Sequence, residues 1–555
     1  MDFIMKQISH MEKIRATDTL PQKELLKRTA LKCERVSYQI CLKSTPDAYA
    51  EFKIESNLKE YVEVFVEKEV YMDCPVYNTE GAVTGPGEEF ITLEPGFMPD
   101  VLIPLKEQNN IVRISPQNTV LWVNVDIPKD IDAKVYEINI SATFRNKMCI
   151  DDEILSIKTT KMEIEVIDKV LPEQKIIYTR WFHADCIAVQ HNVEIYSDAH
   201  WALIEDYIRH AANVGMNMIL VPIHTPPLDT EIGTARPCVQ LIDIEKNGDT
   251  YTFNFSKFER FVNICKKCGI KYFEMAHLFT QWGAKSAPNI LVTENGKTDY
   301  KFGWHVSAND PRYIEFLKQY IKAISDELKK ENIDKNTYFH VSDEPNTQTM
   351  ENYETALNIL KPLIGNSKLF DALSHVEFYE KGLVTCPVTS VGTIHEFLPH
   401  KIENQWAYYC CDPIVGYTNS FLSVPSARVR ILGVQLYKYD VKGFLHWGLN
   451  FYNSYHSAYT TNPYLTTSSD RRYSSGDAYI LYPSRTGAYN SIRGEMTYQA
   501  LQDTRLLDAL AQKIGKEKVI ETIDELAERN LRFDDYPISN EFYDNLHNKI
   551  CEMLK

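Results

Sequence analysis

Residues 310–346 read DPRYIEFLKQYIKAISDELKKENIDKNTYFHVSDEPN, and the change of period inside this stretch decides the fold. After Pro311, which suits a first helical turn, apolar residues recur at helical spacing. The helix then gives way to a short apolar strand, NTYFHVS (336–342). The same cycle runs before and after it. Residues 197–215 place Leu203, Ile204, Tyr207, Ile208, Ala211 and Ala212 on one helical stripe, with Ser197 or Asp198 as cap and Gly215 as stop, and MNMILVPIH (216–224) follows as a strand. A helix over 256–268 ends at Gly269 before the strand 270–277, and a helix over 347–364 ends at Gly365 before the strand 368–374. Eight strands are expected, beginning near Ile176, Met218, Lys271, Thr337, Lys368, Val388, Gln405 and Gly443. Strands alternating with helices imply a parallel sheet, and eight of them predict a closed (β/α)8 TIM barrel.

Upstream the period is 2. EYVEVFVEKEVYM (60–72), TVLWVNVDIP (119–128) and KVYEINISATF (134–144) alternate apolar and polar residues, and turn clusters at 78–89, 93–100 and 127–132 punctuate them. This pattern predicts an antiparallel β-sandwich. Leu171-Pro172 closes its last run, and the chain turns helical again after about Arg493. The expected class is multidomain, β plus α/β: a sandwich over 1–171, a catalytic barrel over 172–495, and a helical segment over 496–555 packed on the barrel.

The 555 residues carry a formal net charge of −16 and a pI of about 5.5. That balance lacks the basic footprint of a nucleic-acid binder and gives no attraction to anionic membranes. The first twenty residues have no apolar signal core, and no stretch is apolar and long enough to span a bilayer, so a cytoplasmic protein without membrane insertion is expected. The 12 cysteines are then free thiols. Cys265 and Cys268 have zinc-like spacing but no second pair, and they sit at the end of a helix; Cys410 and Cys411 read as small buried residues at a strand end.

In such a barrel the chemistry gathers where the strands end. Those ends carry Trp181, His183 and Asp185; His224; His277 and Trp282; Asp343 and Glu344; Asp371 and Ser374; Trp406, Tyr408 and Tyr409; and Trp447, Asn450 and Tyr452. Tryptophans interspersed with His, Asn and Tyr suit a sugar, since aromatic faces stack on pyranose C–H faces while polar groups bind hydroxyls. Asp343-Glu344-Pro345 is the sharpest feature. Two adjacent acids directly after an apolar strand are costly to bury unless they are used. Conventional glycosidases hold their two carboxyls apart, about 5–5.5 Å when retaining and about 6.5–9.5 Å when inverting. Neighbouring acids suit substrate assistance: one protonates the leaving oxygen, and the other steers the sugar's own 2-acetamido group onto the anomeric carbon. Two close carboxyls do not ionise independently, so a protonated Glu344 beside an ionised Asp343 is expected.

The order sandwich, barrel, HVSDEPN (340–346), LHWGLNFYN (445–453) and GDAYILYPSRTGAYNSIRGEMTYQALQD (476–503) resembles glycoside hydrolase family 123 over nearly the whole chain. That resemblance implies a retaining β-N-acetylgalactosaminidase working through an oxazoline-type intermediate, with Asp343 orienting the acetamido group and Glu344 as general acid/base. It implies no metal and no organic cofactor. The substrates implied are oligosaccharides or glycosphingolipid head groups ending in β-linked N-acetylgalactosamine.

Among the supporting residues, Tyr408, Tyr409 or Tyr452 is expected to donate to the acetamido oxygen, and Trp447 to form the floor of the subsite. Asn450, His224 and His277 are expected to bind hydroxyls, with His183 and Asp185 either joining them or forming a structural pair. Trp282 stands at the rim, and Arg493 is expected to pair with a carboxylate at the mouth. The alternatives are a conventional retaining glycosidase pairing Glu344 with Glu274 or Asp371, a non-catalytic carbohydrate-binding barrel, and metal-dependent hydrolysis through His183, Asp185, His224 and His277.

Overall fold

Alternation decides the N-terminal sheets. Along Val135–Arg145 the side chains of Tyr136, Ile138, Ile140, Ala142 and Phe144 are buried while their neighbours face outward. The computed structural model describes residues 2–45, 47–77, 88–146, 153–365 and 367–555, so most of the expected turn cluster at 78–89 lies outside the described residues. One seven-stranded sheet begins Asp2–Ser9, Arg35–Thr45, Thr119–Asp126, Val62–Met72 and Gly96–Pro104, each antiparallel to the next. The other orders Lys27–Lys32, Ile154–Val170, Val135–Arg145, Ala48–Glu55 and Ile111–Ile114, antiparallel except for its first pair. Tyr38, Ile40, Leu121 and Val123 from the first sheet and Ala50, Ile138, Ile140 and Met162 from the second share one core.

The chain forms two compact units. One comprises Met1–Lys175, Ser420–Tyr437 and Tyr489–Lys555; the other comprises Ile176–Asn419 and Lys438–Ala488. This differs from the expected division at 171 and 495, because the helices Ile492–Ile514, Lys516–Ala527 and Asn540–Leu554 group with the N-terminal sheets. Polar side chains make that attachment. Gln502 accepts from the Arg35 N–H at 2.8 Å and donates to the Arg35 carbonyl at 3.0 Å, so a helix side chain completes a strand's backbone bonding. Helical periodicity shows that a face is apolar but not which surface will cover it.

In the second unit all eight expected segments are parallel strands, and the fifth is split at Phe370. They do not form one continuous ladder, so the closed (β/α)8 barrel is not shown. One sheet orders Ile177–Arg180, Gly443–His446, Trp406–Tyr408, Pro387–Ser390 and Asp371–Leu373; the other orders Met218–Val221, Tyr272–Met275, Thr337–Phe339 and Lys368–Leu369. The ladder is broken for local reasons. Next to the first strand the Asn217 side chain takes over, its Oδ1 accepting from the Tyr178 N–H at 2.8 Å. The strands are also only two to four residues long, which leaves few registered pairs. Trp181, Met218, Leu220, Tyr338, Phe370, Val388, Trp406 and Leu445, drawn from both sheets, share one core. Trp406 fills it against Gly443, where a Cβ would lie 2.3 Å from the indole.

The helices follow their caps. Ser197 accepts from the His200 N–H at 3.3 Å, and Asp310 accepts from the Arg312 N–H at 2.8 Å ahead of Pro311. A third sheet was not expected: Thr250–Asn254, Asp243–Asn247, Ile290–Glu294 and Lys297–Phe302, inserted after the second and third strands. Among the described residues no helix is long and apolar enough to cross a membrane.

Candidate active site

The parallel strands end around one cleft of about 630 Å³. Trp181 follows Ile177–Arg180, Tyr408 ends Trp406–Tyr408, and Trp447 follows Gly443–His446, so each arrives at the carboxyl end of its strand. Asp343 and Glu344 arrive by a three-residue extension of Thr337–Phe339. There the Phe279 N–H donates to the Val341 carbonyl at 3.0 Å, and Ser342 Oγ donates to the Thr280 carbonyl at 2.8 Å. Both acids line the cleft. Glu344 has φ 41°, a left-handed conformation that is unfavourable for its side chain. Turning the backbone there brings two consecutive side chains to one cavity, which a regular strand forbids.

Burial, followed by the neighbouring Glu344 charge, holds Asp343 well above the usual carboxylate range, while the charge on His340 pulls it back in part. Burial also raises Glu344, and the hydrogen bond from Tyr408 opposes this. That bond runs from the Tyr408 hydroxyl to Glu344 Oε1 at 2.7 Å, with Ser374 Oγ 3.2 Å from the same hydroxyl. The pair therefore retains a proton at a higher pH than isolated carboxyls would. The aromatic side of the cleft is Trp447, whose Nε1 donates to Asp477 at 2.9 Å, with Tyr473 beside it at 5.2 Å between ring centroids.

Behind the pair lies a buried charge cluster. His340 sits between Glu274 Oε2 at 3.0 Å and Asp371 Oδ1 at 3.2 Å. Burial alone would lower this imidazole, but the two carboxylates overturn it and lift it to about 9. Tyr353 donates to Asp371 at 2.7 Å, and Thr179 donates to Glu274. Glu274 and Asp371 are thus committed to His340, and neither lines the cleft.

The family model for the glycoside hydrolase 123 catalytic domain matches residues 181–510. The chain belongs to glycoside hydrolase family 123. The matched span contains Asp343, Glu344 and every cleft residue named above, and a glycosidase acting on a carbohydrate is the activity this membership gives it. Among solved structures, a family 123 glycoside hydrolase from Clostridium perfringens, studied for glycolipid glycan hydrolysis, superposes with a TM-score of 0.73. It is 15% identical, with coverage of 100% of this chain and 98% of that one, which is a likeness of fold. A GH26-CBM35 β-(1,4)-mannanase from Podospora anserina reaches a TM-score of only 0.24 at 10% identity over 90% of this chain and 99% of its own, too low to carry an argument. No curated protein matches the sequence.

In this family 123 glycosidase, the expected residues Trp181, His183, Trp282, Asp343, Glu344, Tyr408 and Trp447 line the cleft. The others do not. Arg236 forks onto Asp185 and donates to His183 Nδ1 at 3.0 Å, and His183 Nε2 lies 3.2 Å from the Trp447 carbonyl. Burial and the Arg236 charge push His183 down to about 3, so it is a neutral imidazole donating through Nε2. His183 and Asp185 are thus joined through an arginine from a loop, and His183 also lines the cleft.

Asn450 bonds both backbone groups of His183 at 3.0 Å, and the Tyr452 hydroxyl donates to the Leu481 carbonyl at 2.8 Å. Tyr409 packs on Phe444 and His446, at 4.8 and 5.4 Å between ring centroids. His224 binds the His277 carbonyl at 2.9 Å, and the His277 ring stacks on His340 at 4.0 Å. Arg493 belongs to the other unit, where it pairs with Asp100 at 2.8 Å, and both are fully buried.

Of the four donors in the metal-dependent alternative, His183 and Asp185 are held by Arg236 and His224 Nε2 by the His277 carbonyl, while both ring nitrogens of His277 are buried without a hydrogen-bond partner among the described residues, and His277 lies close to His340 and Asp371. Cys410 and Cys411 are half-exposed and line the cleft, where burial at a strand end was expected. Sequence reading also missed Asp229, Gln281 and Tyr473. Asp229 accepts from the Tyr473 hydroxyl at 3.2 Å, and its N–H donates to Gln281 at 2.6 Å. All three lie in loops without periodicity, and the only signal in the sequence was their place shortly after strands two, three and eight.

Proposed function

We propose that this chain is a retaining exo-glycosidase that releases terminal β-linked N-acetylgalactosamine from oligosaccharides or glycosphingolipid glycans by substrate-assisted catalysis. The observation that carries the reading is the pairing of adjacent Asp343 and Glu344 in one aromatic cleft. Of the other acids nearby, Glu274 and Asp371 are engaged with His340 and Asp477 with Trp447, while Asp229 accepts from Tyr473 through one oxygen only.

In the first step Glu344 gives its proton to the glycosidic oxygen as the bond from that oxygen to the anomeric carbon breaks. The acetamido carbonyl oxygen forms the new bond to the anomeric carbon, and Asp343 accepts the acetamido N–H and stabilises the positive charge that develops. Asp343 begins with its pKa raised, and a hydrogen bond from the amide N–H stabilises its ionised form, which favours the proton residing on Glu344. In the second step water attacks the anomeric carbon, Glu344 takes the water proton, and the oxazoline-type ring opens. Two inversions at one carbon give net retention. Tyr408 holds Glu344 towards the bond, and Trp447 supplies the stacking face for the sugar being released.

The test is an aryl-glycoside panel on the wild type and Asp343→Asn, comparing β-N-acetylgalactosaminide, β-N-acetylglucosaminide and β-galactoside. The wild type is expected to hydrolyse the first fastest and the β-galactoside not at all. Asp343→Asn is expected to lose roughly 10²–10³ in kcat, the scale of one lost transition-state electrostatic contact. Equal turnover of the β-galactoside would favour a two-carboxylate mechanism, and binding without turnover would favour a carbohydrate-binding protein.

A further inference from the structure

The cleft has an exposed end that the reaction does not use. Trp282 is 39% exposed and Tyr455 36%, high values for large aromatic side chains at the edge of an aromatic cleft. His456 lies between them, its ring 5.5 Å from Trp282 and 3.7 Å from Tyr455. The row continues inward from Tyr455 to Tyr473 at 6.4 Å and from Tyr473 to Trp447 at 5.2 Å, and both inner rings line the cleft.

The backbone holds this row in place. Trp282 has φ 58°, and His456 and Ser457 have φ 55° and 56°, left-handed conformations that bulky residues rarely adopt. Gly283 makes the turn after Trp282 possible, with φ 122° and a place where a Cβ would lie 2.7 Å from Thr349. The Trp282 N–H donates to the Asp343 carbonyl at 2.9 Å, so the loop bearing the exposed indole is tied to the acid pair itself. On the other side the His456 N–H approaches Asp229 Oδ1 at 3.4 Å, and Ser457 Oγ donates to the Asp229 carbonyl at 2.7 Å. Asp229 is therefore a positioning residue for the aromatic row.

We propose that Trp282, His456 and Tyr455 form a binding platform for the aglycone, stacking on the pyranose ring that follows the scissile bond. The inference rests on the exo-glycosidase reading above. In such an enzyme the released sugar occupies the deep end, at half-buried Trp447, and the rest of the glycan leaves through the open end. An aromatic face there recognises the apolar C–H face of a second sugar, which makes sugar-linked N-acetylgalactosamine the preferred substrate class.

The experiment compares kcat/KM for two substrates: β-N-acetylgalactosaminyl-(1→3)-galactose, which fills both ends, and β-N-acetylgalactosaminyl fluoride, which has no aglycone ring. In Trp282→Ala the ratio of disaccharide to fluoride kcat/KM is expected to fall about tenfold, the effect of one lost stacking contact. Trp282→Leu, which keeps bulk but no aromatic face, is expected to lose the ratio as well, whereas Trp282→Tyr keeps it. An equal fall for both substrates, or an unchanged ratio in the Ala and Leu variants, overturns the platform. Wild-type turnover of neither substrate overturns the function reading together with it.

Discussion

Tyr408 sets the protonation of the residue assigned as the acid. Its hydroxyl bonds Glu344 at 2.7 Å and pulls down a carboxyl that burial pushes up. In the proposed mechanism Glu344 acts when protonated, so the alkaline limb of the kcat/KM profile is expected to follow its ionisation. Tyr408→Phe removes the donor that favours the ionised form. The alkaline limb is therefore expected to move to higher pH while kcat falls about tenfold, as for the loss of one hydrogen bond to a charged group. A pH–rate profile of the variant checks both. The acid pair was readable in sequence because charges following an apolar strand demand an explanation. His340 was not, because in YFHV it reads as one residue of that strand, and only the fold brings Glu274 and Asp371 to its two nitrogens. The same holds for Asp185, whose partner Arg236 lies 51 residues away in a loop.

The strands carry the geometry, and they do so with few residues. Trp406–Tyr408 pairs with Gly443–His446 in parallel register, Trp406 opposite Gly443, and the glycine leaves room for the indole. Gly443→Ala would place a Cβ 2.3 Å from a ring that is only 1% exposed and has nowhere to move. Overpacking of that kind costs about 1–3 kcal/mol. Thermal unfolding of Gly443→Ala is expected at a lower temperature than wild type, and because Tyr408 sits on the same strand, KM for an aryl substrate is expected to rise. At this scale the sequence was most legible, since period 2 and period 3.6 come directly from backbone geometry. The inserted hairpins between strands escaped notice because each strand is only five or six residues long. Ladder continuity is likewise invisible to periodicity, since it depends on partners such as Asn217.

For the molecule as a whole, the helical C-terminus groups with the N-terminal sheets, and Arg493 forms a buried ion pair with Asp100 inside that unit. Breaking a fully buried ion pair from one side costs about 3–5 kcal/mol. Arg493→Ala is expected to lower the melting temperature measured by circular dichroism, while the folded enzyme keeps the wild-type KM for an aryl substrate. A large change in KM without a loss of stability would return Arg493 to the cleft. The account of function stands on the substrate's amide as nucleophile, guided by Asp343 and served by Glu344. Aryl β-N-acetylgalactosaminides carrying acetyl, fluoroacetyl, difluoroacetyl and trifluoroacetyl groups on nitrogen test it most directly, because each fluorine weakens the carbonyl oxygen and leaves the leaving group untouched. The account predicts that kcat falls steeply at every step of the series, and a kcat indifferent to fluorination would contradict it.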